Sequence, residues 1–324
     1  MNGSNELTGN EEVRNRTSSL FFLKSGFADK AFEGITAFFA FLILFLAVLT
    51  AFTLWKASAP TIEKMGWQFL TSSDWDPVQG VFGSLPFVYG TLLSSFLALL
   101  IATPFGIGIS LFLTELSPMK WRDPVAFLIE ILAAIPSVVY GLWGMFLLAP
   151  FMRVHVDPIL MKTGLPFFKG PSTGLSLLTA GIILSIMILP TITAISREVF
   201  EAVPNPYRES ARALGATRWE TILLAVVSPA RVGVLGAIML ALGRALGETM
   251  AVTMVIGNNP QIVADLLAPS HSMASVIANE FSEATSDLHI SALAEIGLLL
   301  MVITLVLNIA ANLLVWATAA KFQK

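Results

Sequence analysis

Residues 34–55 read GITAFFAFLILFLAVLTAFTLW and contain no charged side chain. A helix needs about 20 predominantly apolar residues to cross a hydrocarbon core about 30 Å thick. This stretch therefore predicts a membrane-spanning helix. Polar and mixed residues precede it, it is longer than the apolar core of a secretory signal, and no small-x-small cleavage pattern follows it. We therefore expect the helix to be retained.

Five further stretches have the same apolar character, and they lie at 87–113, 124–152, 170–196, 232–264 and 296–320. The second of these is interrupted only by Glu130, and the fourth only by Arg244 and Glu248. The Gly- and Pro-containing residues 77–86 predict a loop that leads into a span. The sequence thus predicts an all-α fold, a polytopic membrane helical bundle with six transmembrane helices.

The composition of the 324 residues excludes several classes of protein. Hydrophobic residues make up 55%, charged residues only 13%, and the mean hydropathy is +0.77, which argues against a soluble enzyme or a disordered chain. There is no cysteine, so disulfides and thiolate metal sites are excluded. The net charge of -3 argues against a nucleic-acid partner, which would need a basic face.

The basic residues predict the orientation of the six helices. Most of the 19 Lys and Arg residues fall on the same side of the membrane as the N-terminus, so we expect both termini to lie in the cytoplasm. Residues 1–30 are then a cytoplasmic N-terminal tail, and residues 31–324 form one transmembrane domain. Its longest cytoplasmic segment, residues 197–231, is named the coupling loop.

The coupling loop has the signals of two short helices. Asn205 before Pro206 predicts a capped helix start, and Gly215 predicts its end in the left-handed conformation. Thr217 and Glu220 match a capping box that opens a second helix. We expect a rigid docking element on the cytoplasmic side, and the alternative is a surface helix pair without a partner.

The stretch GAIMLALGRALGETMAVTMVIGN, residues 236–258, places charges inside a predicted span. Arg244 is expected near mid-membrane, where a charge costs about 2.5–3.5 kcal/mol, and Glu248 one helical turn further on the same face. An arginine fork can donate two parallel hydrogen bonds to a tetrahedral oxyanion. We therefore assign Arg244, Glu248 and the adjacent Thr249 to a substrate path. The alternative is a structural ion pair between Arg244 and Glu248.

Several motifs resemble a known family. Glu209, Ser210 and Ala211, followed by Gly215, resemble the EAA loop of permease subunits in ABC importers, although Val227 and Ser228 stand where that family usually has Leu-Pro. The stretches LFLTELSP (111–118), AAIPSVVYGLWG (133–144) and LGRALGETMAVTMVIGN (242–258) are similar to a permease subunit of phosphate-specific importers.

The resemblance implies a fold like that of type I ABC importer permeases, in a bacterial plasma (inner) membrane. It implies as partners a PstA-like permease subunit, two ATP-binding subunits and a periplasmic or surface phosphate-binding protein. Arg244 and Glu248 would serve phosphate passage, and Glu209, Ser210, Ala211 and Gly215 would couple to the ATPase. The chain itself would be neither an enzyme nor a cofactor-binding protein, because it lacks a G-x-x-x-x-G-K-[ST] motif and ATP hydrolysis would occur on a partner.

Three alternatives stay open. An importer of the same type could transport another oxyanion, such as sulfate or molybdate. A membrane-embedded enzyme could use Glu130 or Glu248 as an acid, and a channel or secondary transporter could share the six spans.

The remaining charged residues suggest no further site. Glu115 is expected to be a simple charge at the cytoplasmic face, and His155, His271 and His289 lack the spacing of metal ligands. The acids of the last outer segment are expected to be solvated, with a docking surface for a binding protein as the alternative; they are Asp265, Glu280, Glu283 and Asp287.

Overall fold

The computed structural model describes residues 4–171 and 173–320. Within these ranges the regular structure is helical, and extended pairing is confined to isolated bridges between Asp76 and Val81 and between Gly257 and Ser270. The α-helices are α1 (Ser4–Met65), α2 (Gln68–Thr71), α3 (Leu85–Leu111), α4 (Met119–Ala134), α5 (Ser137–Trp143), α6 (Ala149–Phe151), α7 (Asp157–Lys162), α8 (Leu177–Glu201), α9 (Asn205–Ala213), α10 (Arg218–Thr221), α11 (Ser228–Leu246), α12 (Met250–Val255), α13 (Met273–Glu280) and α14 (Asp287–Ala320). The all-α prediction is confirmed.

Short π-helical turns join some of these helices into longer rods. These turns are Phe112–Leu116, Gly144–Leu148, Met152–Val156 and Ile222–Val227. Together the described elements form six helices long and apolar enough to cross a membrane, namely Asp29–Met65, Leu85–Leu116, Ser137–Lys162, Leu177–Glu201, Arg218–Leu246 and Asp287–Leu313. Each predicted span overlaps one of them, so the prediction of six spans is confirmed.

The third span lies further along the chain than the sequence predicted. Helix α4 ends at Ala134, and Ile135 is extended, with ψ 127°. Pro136 explains the break, because a proline disfavours the helical conformation of the residue before it. The span therefore starts at Ser137 rather than at 124, and Glu130 lies on the separate helix α4, where it is exposed.

Residues 55–320 belong to one compact unit, and residues 4–54 belong to another. Helix α8 is the centre of the larger unit. Its small and branched side chains, such as Ala180, Ile188 and Ile192, are fully buried against α3, α11 and α12. Small residues on α3, Ala98 and Ala102, allow the backbones to approach closely, as is usual for helices in lipid. The expectation of a solvated tail at residues 1–30 falls almost entirely on side chains outside those described.

A second apolar cluster lies at the end of the bundle where α3 and α14 begin. It joins Phe69, Phe82 and Phe87 to Met273 and Leu293. A third cluster lies at the opposite end and contains Phe200, Val203, Val226, Ala230 and Val234. The first four belong to the coupling loop, which therefore contributes its own buried apolar side chains, and this fits the expectation of a rigid element.

Two of the four acids expected to be solvated are not. Asp265 is 7% exposed, and its carboxylate accepts hydrogen bonds from the backbone N–H of Lys169 at 2.6 Å and of Leu267 at 2.8 Å. Glu280 accepts a bond from Nε1 of Trp75 at 3.0 Å and lies 2.9 Å from Nε2 of His289. Lys169 and Trp75 lie 96 and 205 positions away from these acids, so local composition could not reveal them as partners.

Candidate translocation and coupling sites

Helix α11 presents Arg244 on its exposed side. Its neighbours Ala241 and Ala245 are buried, at 0% and 3% exposure, and belong to the central core cluster. Because these small residues hold one face of α11 against the core, the guanidinium of Arg244 projects away from the bundle of this chain. Arg244 is the third residue from the C-terminal end of this helix, which ends at Leu246.

The fifth span is broken immediately after Arg244. Helix α11 ends at Leu246, and α12 begins at Met250. The Thr249 hydroxyl donates to the Gly247 carbonyl at 3.3 Å, inside the break. The expectation that Arg244 and Glu248 share one face of a continuous helix is therefore wrong. Gly247 at the helix end supplies the reason, since glycine is a weak helix former.

Glu248 caps the second half of the span instead of pairing with Arg244. Its Oε1 accepts a hydrogen bond from the backbone N–H of Ala251 at 3.3 Å. Among the described residues no ion pair or hydrogen bond joins Arg244 and Glu248. Their charges are therefore available for other partners, and the structural ion pair offered as the alternative is not formed.

Two further polar side chains lie in the region around the end of α11. The phenol of Tyr140, on α5, is within electrostatic range of the guanidinium, and its O–H donates to the Leu132 carbonyl at 2.7 Å. Asn308 on α14 faces α11, because a Cβ added to Gly243 would lie 4.0 Å from its Oδ1. Asn308 was not among the predicted site residues. An amide within a mostly apolar span was the signal that could have found it.

The coupling loop has most of the local geometry that its sequence predicts. Gly215 has φ 88°, the left-handed conformation that ends a helix. The capping box is formed: the backbone N–H of Thr217 donates to Glu220 Oε2 at 2.8 Å, and the Thr217 hydroxyl accepts from the Glu220 N–H at 3.4 Å. The prediction of Asn205 as a cap is wrong, because Pro204 holds the cap position and Asn205 is the first helical residue.

Helix α9 carries Glu209, Ser210 and Ala211 and is named the coupling helix. Glu209 and Ser210 are exposed and Ala211 is half-buried, with Gly215 just beyond the helix end. The structure therefore brings these four residues together at one end of the bundle. Large apolar side chains accompany them at the surface: Tyr207 is 58%, Trp219 59% and Leu214 90% exposed.

Comparison with known proteins identifies the family. A family model described as "Binding-protein-dependent transport system inner membrane component" matches residues 102–319. The phosphate transport system permease protein PstC of Mesorhizobium japonicum is 47% identical over 293 residues, which cover 88% of this chain and 90% of that protein. The protein of the same name from Haemophilus influenzae is 43% identical, over 92% of this chain and 96% of its own. The chain belongs to the PstC permease family.

Solved structures of more distant transporters share the fold of this PstC-family chain. One is the MetNI methionine ABC transporter in inward-facing conformations, with a TM-score of 0.57 and 17% identity over 75% of this chain and 99% of that one. Another is a bacterial ABC transporter involved in the import of alginate, with a TM-score of 0.52 and 18% identity over 85% and 95%. The predicted fold of an ABC importer permease is confirmed, and the chain is a protein of the inner membrane.

Proposed function

We propose that this chain is the membrane-spanning permease subunit of an ATP-driven importer of inorganic phosphate. The observation that carries the proposal is the exposed guanidinium of Arg244 beside a break in a membrane-spanning helix, with no ion pair among the described residues. A charge in a membrane span is costly and points to a functional role. PstC-family relatives that are named phosphate transport permeases support the same substrate.

The chemistry of the break suits a protonated oxyanion. Arg244 donates two parallel hydrogen bonds through its fork without losing its charge. Glu248 uses Oε1 for the Ala251 N–H, and its carboxylate keeps further acceptor capacity. Hydrogen phosphate carries O–H groups that can donate to such an acceptor, whereas sulfate and molybdate at neutral pH present only acceptors. The Thr249 hydroxyl donates to the Gly247 carbonyl and can still accept a hydrogen bond.

The energy for transport would come from a separate chain. Tyr207, Leu214 and Trp219 expose large apolar surfaces at the coupling loop, and such surfaces mark protein interaction sites. Glu209 and Ser210 are exposed beside them. In this proposal the coupling helix docks on an ATP-binding subunit at the cytoplasmic side, and Gly215 permits the sharp turn after it.

The complete importer would contain several chains. Two ATP-binding subunits hydrolyse ATP, a PstA-like permease subunit completes the pathway in the lipid bilayer, and a periplasmic or surface phosphate-binding protein delivers the substrate. Conformational changes driven by ATP hydrolysis expose Arg244 alternately to the two sides of the plasma membrane. The PstC-family chain itself performs no catalysis.

The remaining candidates have weaker support. An importer of sulfate or molybdate would gain nothing from an acceptor at Glu248. A membrane-embedded enzyme would need acid or base groups gathered at one place, but Glu130 is exposed on α4 and Glu248 is bound to Ala251. A channel or secondary transporter would have no need of a capped, apolar coupling loop.

Phosphate uptake tests the proposal directly. Cells that depend on this importer are supplied with Arg244→Ala, Arg244→Lys or wild-type chain, and uptake of radiolabelled phosphate is measured with and without excess sulfate or molybdate. Lys162→Ala is the matched control, because Lys162 is an exposed cation at the end of the third span. All variants are checked for membrane insertion.

We expect Arg244→Ala to abolish uptake and Arg244→Lys to restore part of it, since lysine keeps the charge but not the fork. Lys162→Ala should transport like the wild type. Full uptake by Arg244→Ala would overturn the assignment of Arg244 to the substrate path. Competition by sulfate or molybdate as strong as by unlabelled phosphate would overturn the substrate.

A further inference from the structure

Glu115 lies at the point where the second span meets the coupling loop. Helix α3 continues as the π-helical turn Phe112–Leu116 and ends at the extended residue Ser117. The sequence predicted Glu115 to be a simple surface charge, but only 8% of its side chain is exposed. That expectation is wrong, and a buried carboxylate at a helix end requires partners.

The main partner of Glu115 is Arg208 of the coupling helix. Nε and Nη2 of Arg208 both donate to Glu115 Oε1, at 3.0 Å and 2.7 Å. The same guanidinium donates to the carbonyls of Phe200 and Val203, at the end of α8. One side chain of the coupling helix therefore holds the ends of the second and fourth spans together.

Two further arginines bind the last carbonyls of the second span. Nη2 of Arg218, on α10, donates to the Glu115 carbonyl at 2.6 Å, and Nη2 of Arg122, on α4, donates to the Thr114 carbonyl at 2.8 Å. Carbonyls at a helix end lack partners within the helix and attract cations. Helix α10, which follows Gly215 in the coupling loop, and helix α4, which precedes the third span, are thus both bound to the end of the second span.

A nearby ion pair shows what is special about Arg208. Arg197 and Glu201 also form a 2.9 Å pair at the same end of the bundle, but both lie on α8 and are partly exposed, at 26% and 43%. That pair connects one turn of a helix to the next and joins no separate elements. The Glu115–Arg208 pair joins residues 93 positions apart and is 8% and 13% exposed.

We propose that the Glu115–Arg208 bridge transmits the movement of the coupling helix to the ends of the second and fourth spans. This inference rests on the proposed function, because it presumes an ATPase that moves the coupling helix. Arg208 and Glu115 are positioning residues: they touch no substrate, and they make the coupling helix and the two spans move as one body. The coupling loop is not adjacent to the second span in the chain, so the Glu115–Arg208 pair and the bond from Arg218 to the Glu115 carbonyl are its polar links to that helix end. Of these two links, only the Arg208 side chain also reaches carbonyls at the end of the fourth span.

The stiffness of the bridge depends on its burial. A charge-assisted contact in which two donors share one carboxylate oxygen keeps its geometry in a site that water hardly reaches, whereas a surface pair exchanges its partners for water. The guanidinium of Arg208 reaches four acceptors at once: Glu115 Oε1, the carbonyls of Phe200 and Val203, and Asn205 Oδ1 at 3.4 Å. A lysine carries the charge as a single point and cannot reach the same four acceptors.

The test uses the complete importer reconstituted in liposomes, with the binding protein on one side of the membrane and ATP on the other. It measures the phosphate-to-ATP ratio, which is the number of phosphate ions transported per ATP hydrolysed. The variants are Arg208→Met, Arg208→Lys and the double variant Glu115→Gln/Arg208→Met. Arg197→Met is the matched control. Co-purification of the ATP-binding subunit with each variant is measured in parallel.

We expect Arg208→Met to lower the phosphate-to-ATP ratio about tenfold or more while the ATP-binding subunit still co-purifies, because the loss of a charge-assisted hydrogen bond is of that order. Arg208→Lys should fall between it and the wild type. Arg197→Met should stay within about twofold of the wild type, as for exposed pairs in general.

The double variant separates transmission from folding. It leaves no buried unpaired charge, so it should be as stable as the wild type or nearly so, and it should still be uncoupled. A double variant that regains the wild-type ratio would show that the bridge is only structural, and it would overturn this inference. If the wild-type importer itself shows no phosphate transport, the proposed function fails; if it transports normally and Arg208→Met does too, the inference alone fails.

Discussion

The backbone N–H of Ala251 donates a 3.3 Å hydrogen bond to Oε1 of Glu248, across the break in the fifth span. The bond satisfies one of the amides that the first turn of α12 leaves without a helical partner. It also holds the Glu248 carboxylate on the α12 side of the break, while Arg244 belongs to the last turn of α11. The two opposite charges thus flank the break instead of neutralising each other.

The capping role and the transport role of Glu248 can be separated by substitution. Glu248→Gln keeps an oxygen that accepts from Ala251, but it removes the charge. We expect normal thermal stability and at least about tenfold slower phosphate uptake, since the acceptor for the substrate is weakened. Glu248→Ala should in addition lose about 1 kcal/mol of stability through the lost cap. If Glu248→Gln took up phosphate as fast as the wild type, Glu248 would act only as a helix cap and would have no role in transport.

Leu214 should be an anchor for the ATP-binding subunit. Its side chain is 90% exposed, so Leu214→Asp should not disturb the fold of the chain. We expect this variant to reach the membrane and to lose most of the co-purifying ATP-binding subunit, because a charge replaces the apolar contact. Val78→Asp is the control, since Val78 is 95% exposed at the far end of the bundle. Equal co-purification with both variants would contradict the docking role of the coupling loop.

His271 should make stability sensitive to acid. Burial lowers the pKa of His271 from 6.5 to about 4, against a smaller opposing effect of a hydrogen bond with the Ser272 backbone. Between these pH values the unfolded chain binds a proton that the folded chain does not. Stability is therefore complete above pH 6.5 and declines as the pH falls towards 4, by on the order of 3 kcal/mol.

Thermal unfolding of the purified chain at several pH values measures this effect. His271→Gln should flatten the acid slope relative to the wild type, while substitution of the exposed His155 by Gln should leave the slope unchanged. Parallel curves for wild type and His271→Gln would assign the acid sensitivity to other groups.

Gly90 on α3 should tolerate no side chain. A Cβ built there would lie 2.0 Å from the carbonyl oxygen of His271, which is far inside van der Waals contact. We expect Gly90→Ala to destabilise the chain by about 2 kcal/mol or more. Gly108→Ala on the same helix meets nothing within 4 Å and should be neutral or stabilising by up to about 1 kcal/mol. Melting of both variants as isolated chains checks the difference, and equal melting temperatures would contradict the close approach.

Much of the fold could be predicted because its signals are local. Six apolar stretches marked six spans, since hydrophobic length alone decides whether a helix can cross a bilayer. Gly215 and the Thr217–Glu220 capping box were recognised from single residues, because their geometry depends only on their neighbours in the chain. Errors occurred where the chain bends: apolarity does not register the extended residue before Pro136 or the break after Leu246.

Only some of the candidate site residues could be predicted from the sequence. Arg244, Glu248 and Thr249 were found because a charge inside an apolar stretch is visible in the sequence, and their role in transport stays a prediction. Asn308 was missed because it approaches α11 from a helix that lies far along the chain.

The sequence by itself determined the class of protein, the number of spans and the local turns of the coupling loop, since hydropathy, helix caps and glycine act over a few residues. The tertiary structure alone decided which charges meet. Arg208 reaches Glu115, and Glu280 reaches Trp75, in each case across a long stretch of the chain. The reason is physical: a buried ionic or hydrogen-bonded partner is selected by the packing of helices, and the spacing of residues along the chain does not record that packing.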